Sequence, residues 1–124
     1  MSNIPGNLKY TKTHEWVKID GNKAVLGITD HAQHELTDIV FVDLPEVGKK
    51  VSKGAVALVV ESVKVAADIY SPVDGKVSKV NSNLIEHPEL INNAPYGEGY
   101  LIEIETQGDA QDLLDAKAYG SMVE

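Results

Sequence analysis

The sequence predicts a mainly β fold, a small sandwich or barrel with short helices and a C-terminal helix. Short apolar runs recur between glycine, proline and aspartate residues along most of the chain, which is typical of many short strands joined by turns. The 124 residues fit one hydrophobic core, since single cores commonly take about 100 to 150 residues. We therefore expect one domain over residues 1–124.

The first predicted elements are a hairpin and a helix. Residues 14–19 and 23–28 read as strands, and the aspartate, glycine and asparagine between them supply a turn. Thr29 is placed to cap a short helix over residues 30–36, which begins with an aspartate that suits the positive end of the helix dipole.

The middle of the chain predicts further strands over residues 38–44, 55–60, 65–70 and 76–81. The break between the second and third of these runs falls at Glu61 to Lys64. A hairpin over about residues 55–70 would therefore carry Lys64 close to its tip.

The last third of the chain predicts one more strand and one helix. Residues 83–93 read as a loop with one helical turn after Pro88, and residues 100–106 read as a strand. A helix over about residues 109–119 would be capped by its first aspartate and stopped by Gly120. The side chains expected to pack this helix on the sheet are Leu113, Leu114 and Tyr119.

Charge and composition exclude several classes of protein. The net charge of -8 disfavours nucleic acid, because phosphate binding needs clustered lysine and arginine. No apolar run approaches the roughly 20 residues of a membrane span, and the absence of cysteine excludes thiolate chemistry from the chain itself. The first residues lack the features of a secretory signal, so we expect a cytoplasmic protein, or a mitochondrial matrix protein whose presequence has been removed.

Lys64 is the residue whose chemistry stands out. An exposed amine on a four-carbon stem is well suited to carry a prosthetic acid through an amide bond. The same pattern also fits an ordinary solvated charge at a hairpin tip, and spacing alone does not separate the two interpretations.

Other candidate sites are weaker. His31 and His34 lie three residues apart on the predicted helix with Glu35 beside them, so they could share a face as metal ligands, although they lack the spacing of a zinc-protease motif. His14 has no serine or threonine near it in a recognisable nucleophile motif. We therefore expect no catalytic constellation and no metal site.

Several ordered sequence blocks resemble the glycine cleavage H protein family. YTKTHEW at residues 10–16 is similar to the opening block of that family, and GITDHAQ at residues 27–33 and DIVFVDLP at residues 38–45 are similar to its second and third. ESVK at residues 61–64 resembles its lipoylation site. The order is completed by Asn81, residues 88–92 and residues 95–97.

The resemblance implies a barrel-sandwich hybrid of small antiparallel sheets, shared with lipoyl and biotinyl domains, and a carrier rather than an enzyme. Lipoate would be attached covalently to Lys64, within the motif that also contains Glu61, Ser62 and Val63. The partners that the resemblance implies are a glycine decarboxylase, an aminomethyltransferase, a dihydrolipoyl dehydrogenase and lipoate-attaching enzymes. The arm would carry an aminomethyl group and then electrons between them, on a protein expected to be a monomer.

The resemblance also implies a pocket for the loaded arm, lined by Thr13, Glu15 and Asp68. Three residues depart from the family pattern, where glycine, alanine and tryptophan are usual: Thr37, Val65 and Tyr100. Thr37 would be strained if its site needs a positive φ. None of the three is the amine that would carry the cofactor.

Three alternative functions stay open on the sequence. An H-like protein could use its lipoyl arm mainly as a donor in lipoate transfer to other proteins. A non-catalytic interaction module would never carry lipoate, and a small metal-dependent hydrolase could be built on His31 and His34.

Overall fold

The structure is a computed structural model that describes residues 3–107 and 112–123. Its strands are β1 (Lys9–Tyr10), β2 (Glu15–Asp20), β3 (Lys23–Ile28), β4 (Ile39–Asp43), β5 (Lys50–Val51), β6 (Val56–Ser62), β7 (Ala66–Tyr70), β8 (Gly75–Val80) and β9 (Ile102–Thr106). Its helices are α1 (Asp30–Leu36), α2 (Asn83–Glu86), α3 (Leu90–Asn93) and α4 (Ala116–Val123). None of the described helices is long and apolar enough to cross a membrane.

Two antiparallel sheets enclose the main core. The larger sheet has six strands in the order β1-β2-β3-β9-β8-β5, and the smaller has three in the order β4-β6-β7. Both sheets contribute to one buried cluster, with Val17 and Ile104 from the larger sheet and Val60 and Ile69 from the smaller. The predicted mainly β fold of small antiparallel sheets is confirmed.

The first half of strand β2 is buried on both faces. Val17 points into the main core, while Trp16 belongs to a second cluster beneath the N-terminal and C-terminal segments. Gly27 lies directly opposite Trp16 on β3, and a Cβ on this glycine would stand 2.5 Å from the indole ring. The indole can lie flat across β3 because residue 27 has no side chain.

The first predicted hairpin and helix are confirmed. Asp20 pairs with Lys23 across a two-residue turn, and Gly21 at its first position has a φ of 62°, as hairpin turns require. In α1, the hydroxyl of Thr29 accepts the backbone N–H of Ala32, which satisfies one of the free donors of the first turn.

The segment between β8 and β9 contains more helix than we predicted. Helix α3 follows Pro88 as expected, but α2 precedes it and was predicted as loop. Leu84 of α2 is 1% exposed and joins the main core. With four residues and one buried leucine, α2 is too short to show a helical repeat of apolar residues in the sequence.

The boundaries predicted for the C-terminal helix were wrong. Helix α4 starts at Ala116 and contains Gly120 instead of stopping there, while the predicted cap at residue 109 lies outside the described residues. Leu114 is not helical: its N–H and C=O each form a 2.8 Å hydrogen bond with the backbone of Tyr10. The carboxylate of Asp115 then accepts the N–H of Ala118 and caps the helix.

The late start of α4 has a physical reason. β1 lies at the edge of the sheet, where backbone groups lack a strand partner on one side, and pairing with Leu114 satisfies those of Tyr10. The ring of Tyr119 then stacks on that of Tyr10, with centroids 4.8 Å apart. Of the side chains expected to pack this helix, Tyr119 does so from within it, whereas Leu113 and Leu114 pack from the preceding extended segment.

Candidate functional site

Lys64 lies at the tip of the β6–β7 hairpin. Strand β6 ends at Ser62 and β7 begins at Ala66, so Val63, Lys64 and Val65 form the connection, here called the Lys64 turn. The Lys64 side chain is exposed. The structure therefore places this amine where another protein can reach it.

Ser62 holds the Lys64 turn in place. Its hydroxyl accepts the N–H groups of Lys64 at 3.2 Å and Val65 at 3.1 Å, and donates to the Val65 carbonyl at 3.2 Å. The Ser62 N–H also donates to that carbonyl, at 2.8 Å. Serine is suited to this position because a small hydroxyl can both donate and accept while it is nearly buried.

The neighbouring strand also supports the turn. The N–H of Val63 donates to the carbonyl of Asp38, just before β4, at 3.0 Å. Glu61 is exposed and lies opposite Ala66 on one side and Phe41 on the other. The four residues of the predicted attachment motif thus form one structured hairpin end.

Glu15 is a buried carboxylate with an organised set of donors. It is 1% exposed, and its Oε1 accepts the hydroxyls of Thr11 at 2.6 Å and Thr13 at 2.5 Å. Its Oε2 accepts the backbone N–H of Tyr70 at 3.3 Å. Burial raises the pKa of Glu15 above its ordinary value, and these hydrogen bonds offset part of that rise.

Two adjacent cavities lie on this side of the molecule. The smaller, of about 160 Å³, is lined by Thr13 and Asp68 together with apolar side chains, and the larger, of about 310 Å³, is lined by Thr13 and Glu15. Thr13 therefore belongs to both cavities, whereas Glu15 and Asp68 line different ones. The apolar residues of the smaller cavity are Ile28, Ala32, Leu36, Ala67 and Ile69.

His14 is a lining residue of the smaller cavity that the sequence did not indicate as part of the site. Its φ of 71° is unusual for a residue with a side chain, and its Nδ1 lies 2.8 Å from the hydroxyl of Tyr119. Burial and the nearby ring of His31 lower its pKa. No local spacing predicts this contact, because it joins the residue before β2 to α4, 105 residues later.

The proposed metal ligands do not converge on one point. His31 lies 3.7 Å from Glu35, whereas His34 lies 3.9 Å from Asp30. Within residues 3–107 and 112–123, no group of three or more histidine, aspartate or glutamate side chains is placed to hold a metal ion. The geometry gives the metal-dependent hydrolase no support.

Comparison with known proteins gives one consistent result. The family model described as glycine cleavage H-protein matches residues 8–124. A glycine cleavage system H protein of Endomicrobium trichonymphae is 58% identical over 123 residues, covering 98% of this chain and 99% of the relative. The Thermotoga maritima protein of the same name is 57% identical over 113 residues, 90% of this chain and 91% of the relative.

A solved structure agrees with these relatives. The crystal structure of a glycine cleavage system H protein from Mycobacterium marinum superposes with a TM-score of 0.90 at 37% identity, covering 95% of this chain and 97% of that one. Sequence and fold therefore lead to the same conclusion. This chain belongs to the glycine cleavage H-protein family.

Proposed function

We propose that this chain carries lipoate on Lys64 and acts as the shuttle protein of the glycine cleavage system. As a member of the H-protein family it is a carrier and not itself a catalyst. The observation that carries the assignment of the residue is the exposed amine of Lys64 on a turn fixed by Ser62.

The residues present fit an amide-linked lipoyl group. A primary amine on a flexible stem can be acylated, and the exposed turn leaves room for an attaching enzyme. Bound lipoate would supply a disulfide, and hence thiol redox chemistry, to a chain that has no cysteine of its own.

The smaller cavity fits an apolar arm. Aliphatic side chains from β3, α1 and β7, among them Leu36 and Ile69, form most of its lining, and the transfer of apolar atoms out of water is favourable. Its polar residues are Thr13, His14, Glu35 and Asp68, and of these Thr13 and Asp68 would lie near the end of the arm. Glu15, behind Thr13, adds a carboxylate that can stabilise a cationic amine.

The partners follow from this role. As an H protein, the chain works with the other components of the glycine cleavage system. We assign it a decarboxylase that loads the aminomethyl group, an aminomethyltransferase that removes it, and a dihydrolipoyl dehydrogenase that reoxidises the arm. A lipoate-attaching enzyme would modify Lys64 first, and the arm would then serve these partners in turn from a monomeric carrier.

The first test replaces Lys64 by arginine. Lys64→Arg keeps a positive charge and a long stem but has no primary amine to acylate, so we expect a folded protein without lipoate and without shuttle activity. Lys76 is an exposed lysine of β8, so Lys76→Arg is the matched control and should be lipoylated normally. Intact mass after expression with lipoate measures the modification, and lipoate on the Lys64→Arg protein would contradict the assignment.

A further inference from the structure

Exposed apolar side chains concentrate beside the Lys64 turn. Val40 is 53% exposed, Phe41 52%, Val63 65% and Val65 48%. These four residues are here called the apolar patch. They stand out because a large aromatic side chain and two valines of a turn normally avoid water when nothing covers them.

A bulge in β4 creates half of this patch. Ile39 pairs with Ser62 and Phe41 with Glu61, so Val40 is an extra residue between two consecutive pairs. In a regular strand, neighbouring side chains point to opposite faces, and one of the two would be buried. The irregularity leaves both Val40 and Phe41 exposed, consistent with bulges that redirect side chains at functional surfaces.

Carboxylates surround the apolar patch. Glu61 pairs with Phe41, and Asp43 and Asp68 both pair with Val59 in the next row of the same face. Residues opposite one another in a sheet point to the same side, and all three acidic side chains are exposed. These three are here called the acidic rim.

The lysines that lie within strands all belong to the six-stranded sheet. The sequences of β4, β6 and β7 contain no lysine or arginine. The strands of the six-stranded sheet contain six lysines: Lys9, Lys18, Lys23, Lys50, Lys76 and Lys79. A partner that docks on the apolar patch therefore meets negative charge at its edge. The complementary surface of that partner is apolar and is flanked by cationic side chains.

We propose that the apolar patch and its acidic rim form the surface on which the lipoate-attaching enzyme docks. The inference rests on the proposed function. Before modification the amine of Lys64 is carried only by its own side chain, so the active site of that enzyme has to come within a lysine's length of the turn. Surface next to the turn is then buried against the enzyme, which is where Val63, Val65 and Phe41 lie.

A lipoate ligase attaches lipoate to Lys64 in two steps. A lipoate ligase uses ATP to activate the lipoate carboxyl group as an acyl adenylate, with release of pyrophosphate. The amine of Lys64, as the free base, attacks the carboxyl carbon, the new C–N bond forms as the bond to AMP breaks, and one proton is lost from nitrogen. The product is the lipoyl amide, AMP and pyrophosphate.

The test measures kcat/KM for the full unmodified chain with a lipoate ligase, lipoate and ATP, followed by intact mass. Phe41→Ser should lower kcat/KM by roughly tenfold, since a central aromatic contact commonly accounts for such a loss. Val47→Ser, at an exposed valine of the β4–β5 connection, is the matched control and should change little. Circular dichroism and Tm establish that both variants fold.

A second pair of variants tests the acidic rim. Asp43→Asn should raise KM by about threefold at low salt, and the difference should shrink as salt is added. Asp20→Asn, an exposed aspartate of the six-stranded sheet, should leave KM unchanged.

The outcomes are distinct. Equal kcat/KM values of the ligase for Phe41→Ser and Val47→Ser would overturn the proposed docking surface while leaving the proposed function intact. A Phe41→Ser defect confined to loading by the decarboxylase would assign the patch to another partner and would overturn the proposal too. A chain that the ligase never modifies at Lys64 would overturn the proposed function itself.

Discussion

Replacing Glu15 by glutamine tests the carboxylate without removing the side chain that fills its site. Oε1 accepts two threonine hydroxyls and Oε2 accepts the N–H of Tyr70. In Glu15→Gln the amide oxygen can accept from Tyr70, and the amide nitrogen can donate to Thr11 and Thr13, because hydroxyls also accept. We therefore expect this variant to fold, whereas Glu15→Ala would leave the Tyr70 N–H without an acceptor.

The magnitude follows from the hydrogen bonds already made. A carboxylate accepts about four hydrogen bonds, and donors of Thr11, Thr13 and Tyr70 already bond to this one, so at most one further bond can form with a cationic amine. Such a charge-assisted bond is worth about 1.5 to 3 kcal/mol when buried, and a discount for the solvent in the open cavity leaves about 1 kcal/mol. That corresponds to about fivefold in a rate.

The assay is ammonia release from purified, methylamine-loaded protein in the absence of the aminomethyltransferase. Glu15→Gln should release ammonia about fivefold faster than the unaltered chain, while lipoylation and reoxidation by the dehydrogenase stay near normal. Glu103→Gln, a partly exposed carboxylate of β9, is the matched control. Equal release from Glu15→Gln and the unaltered chain would refute the assignment of Glu15 to the protection of the arm.

Two further predictions concern stability. Because burial raises the pKa of Glu15, this carboxyl group is protonated at a higher pH in the folded chain than in the unfolded chain. The unfolding free energy of the unaltered chain should therefore rise relative to that of Glu15→Gln as pH falls from 7 to about 4.5. A difference between the two that is independent of pH in urea titrations would contradict this. Thr37 has a φ of 64° and a ψ of -148°, a region that favours glycine, so Thr37→Gly should stabilise the fold by about 1 kcal/mol and raise Tm by about 4 °C. A lower Tm for that variant would show that the threonine hydroxyl is worth more than the strain.

The elements that the sequence predicted well are those fixed by neighbours in the chain. Thr29 caps α1 and Gly21 turns the first hairpin through interactions within a few residues, so their signals are local. Lys64 at its hairpin tip belongs to the same class, because a break between two apolar runs is visible without the fold. The positive φ expected to strain Thr37 is present as well.

The elements that escaped prediction depend on distant partners. Leu114 is extended because the edge of β1 offers hydrogen bonds, and those lie more than a hundred residues away. The family resemblance named Glu15, but the residues alone did not indicate that Tyr70 and two threonines would surround it in a nearly water-free site. Likewise, the contact between His14 and Tyr119 becomes visible only when both termini are folded together.

The hydrogen bonds between Ser62 and the Lys64 turn limit the volume that a carried group can explore. Because hydrogen bonds to Ser62 and Asp38 hold the backbone of the turn, the attached group moves only through rotations of the Lys64 side chain and of its own bonds. A short tether on a fixed anchor gives its end a high effective concentration at a docked active site. A loosened anchor would dilute that concentration without altering a single contact of the cargo, and the cost would appear as slower transfer at every partner alike.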